Sequence, residues 1–68
     1  MLYDKKTKPA LDSETGLVYI MDCSSLIESY SVSLHEAAWR GDKVEIEMRL
    51  KQIRACLVES MKTFREIA

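Results

Sequence analysis

One dipeptide, Gly41-Asp42, constrains the fold more than any other feature, because it separates two long segments with helical periodicity. Glycine is common just past a helix end, where the backbone turns left-handed. Asp42 and Glu45, three residues apart, form a capping box typical of a helix N-terminus. Since one helix must end where the next begins, the sequence predicts a tight antiparallel helical hairpin.

The segment after the turn is predicted to form one long helix from Lys43 to about Ile67, because it contains neither proline nor glycine. Large apolar residues recur in it at intervals of three and four, which places them on one side of a helix. We expect this stripe to face the first helix and to supply the core of the hairpin or of a dimer. Its members are Ile46, Leu50, Ile53, Leu57, Met61 and Phe64.

The first helix is predicted to begin near Asp22 and to end before Gly41. Ser25 and Glu28 match a second capping box, and Arg40 suits the negative end of the helix dipole. An apolar stripe again follows the helical period. Its members are Cys23, Ile27, Tyr30, Leu34, Ala37 and Ala38.

Residues 1–21 have a different composition, with turn-forming residues followed by the β-branched and aromatic run Leu17–Met21. The pattern favours a short β-hairpin, in which Ala10–Asp12 pairs with Leu17–Met21 around Gly16. An extended arm that orders only on packing is the alternative. The expected fold is mainly α, a single domain with a β-hairpin or arm over residues 1–21 and a helical hairpin over residues 22–68.

The helical hairpin is expected to dimerise, because a chain of 68 residues buries too little surface to be more than marginally stable alone. Helix 2 is predicted to be about two turns longer than helix 1, which leaves Met61, Phe64 and Ile67 with no partner within the hairpin. Val32 and Trp39 lie off the main stripe, so helix 1 is apolar on two sides. We therefore predict a homodimeric four-helix bundle. A monomer covered by its own β-hairpin is the alternative.

The charge pattern argues against several classes of partner. A formal net charge of -1 provides no basic field for nucleic acid or for a membrane surface. No apolar run reaches the ~20 residues of a membrane span, and the N-terminal residues lack a signal-peptide core. Cys23 and Cys56 could form one disulfide at most, whereas small secreted proteins generally have several. We expect a cytoplasmic protein.

Catalytic or metal chemistry has little support in the residue types present. His35 is the only histidine, and no cysteine or carboxylate lies four residues from it to complete a metal-binding pair. The cysteines are predicted near the core stripe, away from His35, so no nucleophile–base pair is expected. The sequence predicts a protein that is not an enzyme and that needs no cofactor.

Protein binding is the function that the residues favour. Tryptophan and arginine are enriched at the centres of protein interfaces. We therefore expect a partner-binding patch of Val32, His35, Trp39 and Arg40. The predicted function is a homodimeric regulator, inhibitor or assembly subunit that binds another protein, of the kind that bacteria and phages encode as short chains.

A nucleic-acid-binding hairpin is the alternative function. It would grip phosphates through basic side chains that share one side of helix 2. These are Lys51, Arg54, Lys62 and Arg65.

Overall fold

Two helices that pack side by side make up the part of the chain that the structure, a computed structural model, describes, residues 13–67. Helix α1 spans Ser13–Arg40 and helix α2 spans Lys43–Glu66. The two helices run antiparallel and contact each other along their length. The predicted helical hairpin is confirmed, as are the end of α1, the start of α2 and its C-terminal end.

The turn between the helices explains why the hairpin is so tight. Gly41 has φ of 71°, and its N–H donates to the carbonyl of Ala38 at 3.1 Å. The N–H of Asp42 reaches the carbonyl of Ala37 at 2.9 Å, which completes a Schellman motif. The Asp42 carboxylate then accepts a bond from the N–H of Glu45 at 3.1 Å and caps α2. One residue therefore ends α1 and the next begins α2.

The predicted capping box is only half formed, for a physical reason. The reciprocal bond would run from the N–H of Asp42 to the Glu45 carboxylate, but that N–H is already bonded to Ala37. The Glu45 carboxylate turns instead to Arg49, at 3.1 Å, and to Arg40, at 3.6 Å. It thereby links the end of α1 to the first turns of α2.

The strand predicted for Leu17–Met21 is wrong, because these residues are helical and α1 begins at Ser13 rather than at Asp22. Gly16 lies within the first turns of α1 and is buried. The serine–glutamate pair read as a capping box, Ser25 and Glu28, lies in the middle of the helix. The other predicted strand, Ala10–Asp12, lies outside the described residues. Of the alternative arm over residues 1–21, residues 13–21 are helical and the rest lie outside the described residues.

Residues at seven-residue intervals line the contact between the helices. On α1 they are Gly16, Cys23, Tyr30 and Ala37, and on α2 they are Arg49, Cys56 and Thr63. We call these residues the seam. The Arg49 guanidinium lies 6.0 Å from the centre of the Tyr30 ring. In an antiparallel pair the same register sets Cys23 level with Cys56, and Gly16 level with Thr63.

The seam consists largely of small residues, and this changes which side chains become buried. Gly16, Cys23, Ala37 and Thr63 are buried, while the aromatic and long side chains around them are not. Small residues at a contact let two helices approach closely, so the large residues beside the contact are left outside. Because the two helices have similar lengths, 28 and 24 residues, the expectation that α2 outruns α1 is wrong.

The predicted core stripe of α2 does not point at α1 as expected. Ile46 and Ile53 are half-buried at the edge of the seam. Leu50, Leu57 and Met61 remain about half exposed, and Phe64 is 65% exposed. Since seam positions on α2 are occupied by Arg49, Cys56 and Thr63, the stripe is turned to one side of the hairpin. Its predicted role in a dimer is a separate matter and stays a prediction.

Candidate interaction surfaces

The hairpin has two broad sides, and helix geometry decides which residues lie on each. A residue follows its predecessor by roughly 100° around the helix axis. Because the helices run in opposite directions, the same step around each axis leads to the same side of the hairpin. Residues one or four after a seam residue therefore share one side, and residues three after or four before a seam residue share the other.

The second of these sides is polar and carries cross-helix bonds. The Tyr19 hydroxyl donates to the Glu59 carboxylate at 3.4 Å, and Arg40 lies 3.6 Å from Glu45. All four residues stand three after or four before a seam residue, as the geometry requires. We call this side the polar side. Its hydrogen bonds and ion pairs fasten one edge of the hairpin.

The pKa of one group on the polar side, the Tyr19 phenol, is shifted. The negative charge of a Cys23 thiolate, followed by that of Glu59, raises the pKa of the Tyr19 phenol above its ordinary value of 10.0. Both groups also share hydrogen bonds with the phenol, which favour its protonated form. The folded hairpin therefore holds the Tyr19 proton more tightly than the unfolded chain does.

The opposite side carries the large apolar residues of both helices. We call it the apolar face. From α1 it takes Leu17, Ile20, Ile27 and Leu34, and from α2 it takes Ile46, Leu50, Ile53, Leu57, Met61 and Phe64. Each of them stands one or four residues after a seam residue, with two exceptions: Ile46 stands three residues before Arg49, which is the same side of the helix, and Met61 lies at the outer margin. The predicted stripe of α2 and two members of the predicted stripe of α1, Ile27 and Leu34, thus form one continuous surface.

The apolar face is uncovered in the part of the chain that the structure describes. Leu17 and Leu57 are 53% and 51% exposed, and even the isoleucines nearest the seam are only half-buried. Monomeric soluble proteins rarely expose a contiguous apolar surface of this extent unless it binds something. The face was missed in the sequence because the small seam residues were read as part of an ordinary stripe.

The predicted partner-binding patch is brought together only in part. Val32, His35 and Trp39 all lie on the outer side of α1, away from α2, and are exposed. Trp39, at 87%, is the most exposed large apolar residue in the part of the chain that the structure describes. Arg40 points instead towards α2, where it pairs with Asp42 at 3.8 Å and with Glu45. We call Val32, His35 and Trp39 the tip patch, since they lie in the half of α1 nearest the turn.

The basic residues of α2 border a shallow apolar depression on its outer side. Leu57, Val58 and Met61 form the floor, and Arg54, Lys62 and Arg65 surround it. Lys62 forms an ion pair with Glu59 at 3.9 Å, and Lys51, nearer the start of α2, forms one with Glu47 at 3.2 Å. Within the described residues, Arg54 and Arg65 enter no ion pair. The surface is therefore less cationic than four basic residues alone would indicate.

Over residues 13–67, no group of three His, Cys, Asp or Glu side chains is placed to hold a metal ion. Cys23 and Cys56 are both free thiols, the first buried and the second half-buried. Neither described helix combines the length and the hydropathy required to cross a membrane.

Comparison with protein-family models, with curated proteins and with solved structures found no match for this chain. Its own surfaces are therefore the basis for a functional proposal.

Proposed function

We propose that this protein is a non-catalytic interaction module that works as a homodimer and binds another protein as a regulator, inhibitor or assembly subunit. In this proposal two copies pack through their apolar faces into a four-helix bundle. The tip patches remain outside the bundle and bind the second protein. The exposure of large side chains along one continuous face of the hairpin carries the proposal.

The apolar face supports a symmetric partner because it is two helices wide and carries large apolar residues from end to end, with Ser24, Ser31 and Ser60 among them. Each large aliphatic side chain contributes roughly 1.5–3 kcal/mol when it passes from water to a buried position. A single hairpin gains only part of this, since its seam buries mainly small residues. Packing two such faces buries the remainder, which is how two-helix chains build a bundle core.

The tip patch supports a different partner. Val32 and Trp39 stand seven residues apart on the outer side of α1, where a second copy on the apolar face would not cover them. An exposed tryptophan beside a valine and a histidine resembles the centre of a protein interface. The patch is small, so we expect it to serve as an anchor rather than as a whole interface.

The experiment that tests the homodimer compares two aspartate substitutions on α2. Leu57 and Met48 have similar exposure, 51% and 44%, but Leu57 lies on the apolar face and Met48 on the polar side. Leu57→Asp places a charge in the proposed interface and should raise the dimer Kd on the order of a thousandfold. Met48→Asp is the matched control and should leave the Kd nearly unchanged. Sedimentation equilibrium at several concentrations measures both.

The same measurement can refute the proposal. A wild-type chain that sediments as a monomer at every concentration would remove the homodimer. So would a Leu57→Asp variant that dimerises as well as the wild type. Far-UV circular dichroism of each variant separates loss of association from loss of helix.

A nucleic-acid-binding hairpin is the second candidate, and two arginines that enter no ion pair within the two described helices favour it. Arg54 and Arg65 lie on the same outer side of α2 and are free to meet phosphates. Binding through phosphate contacts falls steeply with salt, whereas apolar association hardly responds. A measured affinity for RNA or DNA that drops as salt rises from 50 to about 200 mM would support this candidate.

A further inference from the structure

The two helices carry opposite charge. Helix α1 contains four carboxylates and one arginine, whereas α2 contains six basic residues and four carboxylates. None of the α1 carboxylates forms an ion pair within the described residues. Arg54 on α2 is likewise unpaired there. The hairpin is therefore an acidic helix beside a more basic one, with opposite charges left over on each.

Two of these unpaired charges flank the apolar face at mid-length. Glu28 stands two residues before the seam residue Tyr30, and Arg54 stands two residues before the seam residue Cys56. Both side chains thus lie on the outer side of their helices, at the edge that borders the apolar face. Each is near the middle of its helix, since α1 spans Ser13–Arg40 and α2 spans Lys43–Glu66.

Two face-to-face arrangements of a symmetric dimer are possible for such a hairpin. If the twofold axis runs parallel to the helices, α1 of each copy lies on α2 of the other. If the axis runs across the helices, α1 lies on α1 and α2 on α2. Every neighbouring pair of helices is antiparallel in both arrangements, so the helix dipoles do not choose between them.

The charges that flank the apolar face favour one of the two arrangements. A twofold axis parallel to the helices does not shift one copy along the helices relative to the other. A residue of α1 is therefore level with the same α2 residue in the second copy as in its own hairpin. The register that pairs Tyr30 with Arg49 then sets Glu28 level with residue 51, less than one turn from Arg54 of the second copy. With a crosswise axis, Glu28 meets Glu28 and Arg54 meets Arg54 at the middle of the bundle.

We propose that two copies pair about a twofold axis parallel to the helices, with α1 of each on α2 of the other and both Gly41 turns at the same end. Glu28 of each copy meets Arg54 of the other at the margin of the interface. Met21 and Met61 hold the equivalent position seven residues, about two helical turns, further from Gly41, and they extend the apolar contact. This arrangement rests on the proposed homodimer and specifies how its two faces are matched.

Charge reversal tests the arrangement. With a parallel axis, Glu28→Arg or Arg54→Glu creates two like-charge contacts per dimer and should raise the dimer Kd about tenfold at low salt. The double variant E28R/R54E restores both pairs and should return the Kd to near the wild-type value. Glu36→Arg is the matched control, because Glu36 is an unpaired carboxylate of α1 on the polar side. It should leave the Kd unchanged within about twofold.

The outcomes distinguish failure of this arrangement from failure of the proposed homodimer. If the wild type is a monomer at every concentration, the homodimer fails and the arrangement fails with it. If the wild type dimerises but the single reversals have no effect, or the double variant does not recover, only the arrangement is overturned. A crosswise dimer predicts that the single reversals have no effect, because reversal of Glu28 merely exchanges one like-charge pair for another.

Discussion

At the scale of single residues, Gly41 carries the largest conformational constraint in the hairpin. Its φ of 71° lies in the left-handed region, and no atom lies within 4 Å of the position that a Cβ would take. Gly41→Ala should therefore destabilise the protein by about 1 kcal/mol through backbone strain alone. Urea unfolding measures the change. Gly41→Asn should cost less, since asparagine tolerates this conformation, and equal effects would argue against strain as the cause.

Tyr19 gives a prediction about pH. Its pKa is raised in the folded protein, first by the charge of Cys23 and then by that of Glu59, so the protonated phenol contributes stability that is complete below the unfolded pKa. That contribution is lost as pH rises through the folded pKa. The stability difference between wild type and Tyr19→Phe should therefore be constant at neutral pH and shrink above pH ~10. Chemical denaturation from pH 7 to about 11 measures it, and a difference that grows with pH would reverse the assigned direction.

The sequence predicted the roles of some single residues and not of others. Gly41 and Asp42 were sufficient to place the turn, because each has a local backbone role that few other residues fill. Cys23 and Ala37 were predicted in the core and are buried. The seam role of Arg49 and Thr63 was not predicted, since a periodicity of large apolar residues does not register them. Their seven-residue spacing with Cys56 is the signal that could have revealed the seam.

At the scale of elements, the helical state of Leu17–Met21 is the main departure from expectation. β-Branched and aromatic composition favours a strand only weakly, and packing against a neighbour overrides it. Leu17 and Ile20 stand one and four residues after Gly16, the spacing that repeats along α1. The segment therefore continues the apolar face of the helix, and helical structure lets it pack beside the C-terminal half of α2.

Substitutions at Val18 test this element. Val18 is 51% exposed on the outer side of α1, so changes there affect the helix and little else. Val18→Pro removes a main-chain hydrogen bond and should cost about 3 kcal/mol or unwind the turns before it. Val18→Ala should stabilise the helix by about 0.5 kcal/mol. Circular dichroism with thermal unfolding measures both, and a harmless proline would indicate that this segment is not helical in solution.

At the scale of the whole molecule, the surfaces proposed for association do not overlap. The apolar face occupies one side of the hairpin, and the tip patch lies on the outer side of α1. Two long helices joined by a short turn were predictable, because capping residues and periodicity act locally. The side of the hairpin to which each apolar stripe turns was not predictable, because it depends on how closely the helices approach across Gly16, Cys23 and Ala37.

Trp39→Ala should separate the two surfaces. Trp39 is 87% exposed, so its removal should change the free energy of unfolding by no more than about 0.5 kcal/mol. The dimer Kd should likewise stay near the wild-type value, while capture of a second protein by the immobilised chain weakens. Unfolding, sedimentation and capture are compared with those of the wild type. Loss of the fold or of the dimer would show that Trp39 belongs to the core and not to a separate patch.

The small residues of the seam have a consequence for how long the protein survives. A lone hairpin keeps its bulky aliphatic groups in water, so the proposed homodimer would supply much of the energy that holds it folded. In such a dimer, dilution should expose the backbone to proteases, and accumulation should shelter it. The lifetime of each molecule would then depend on how many others surround it.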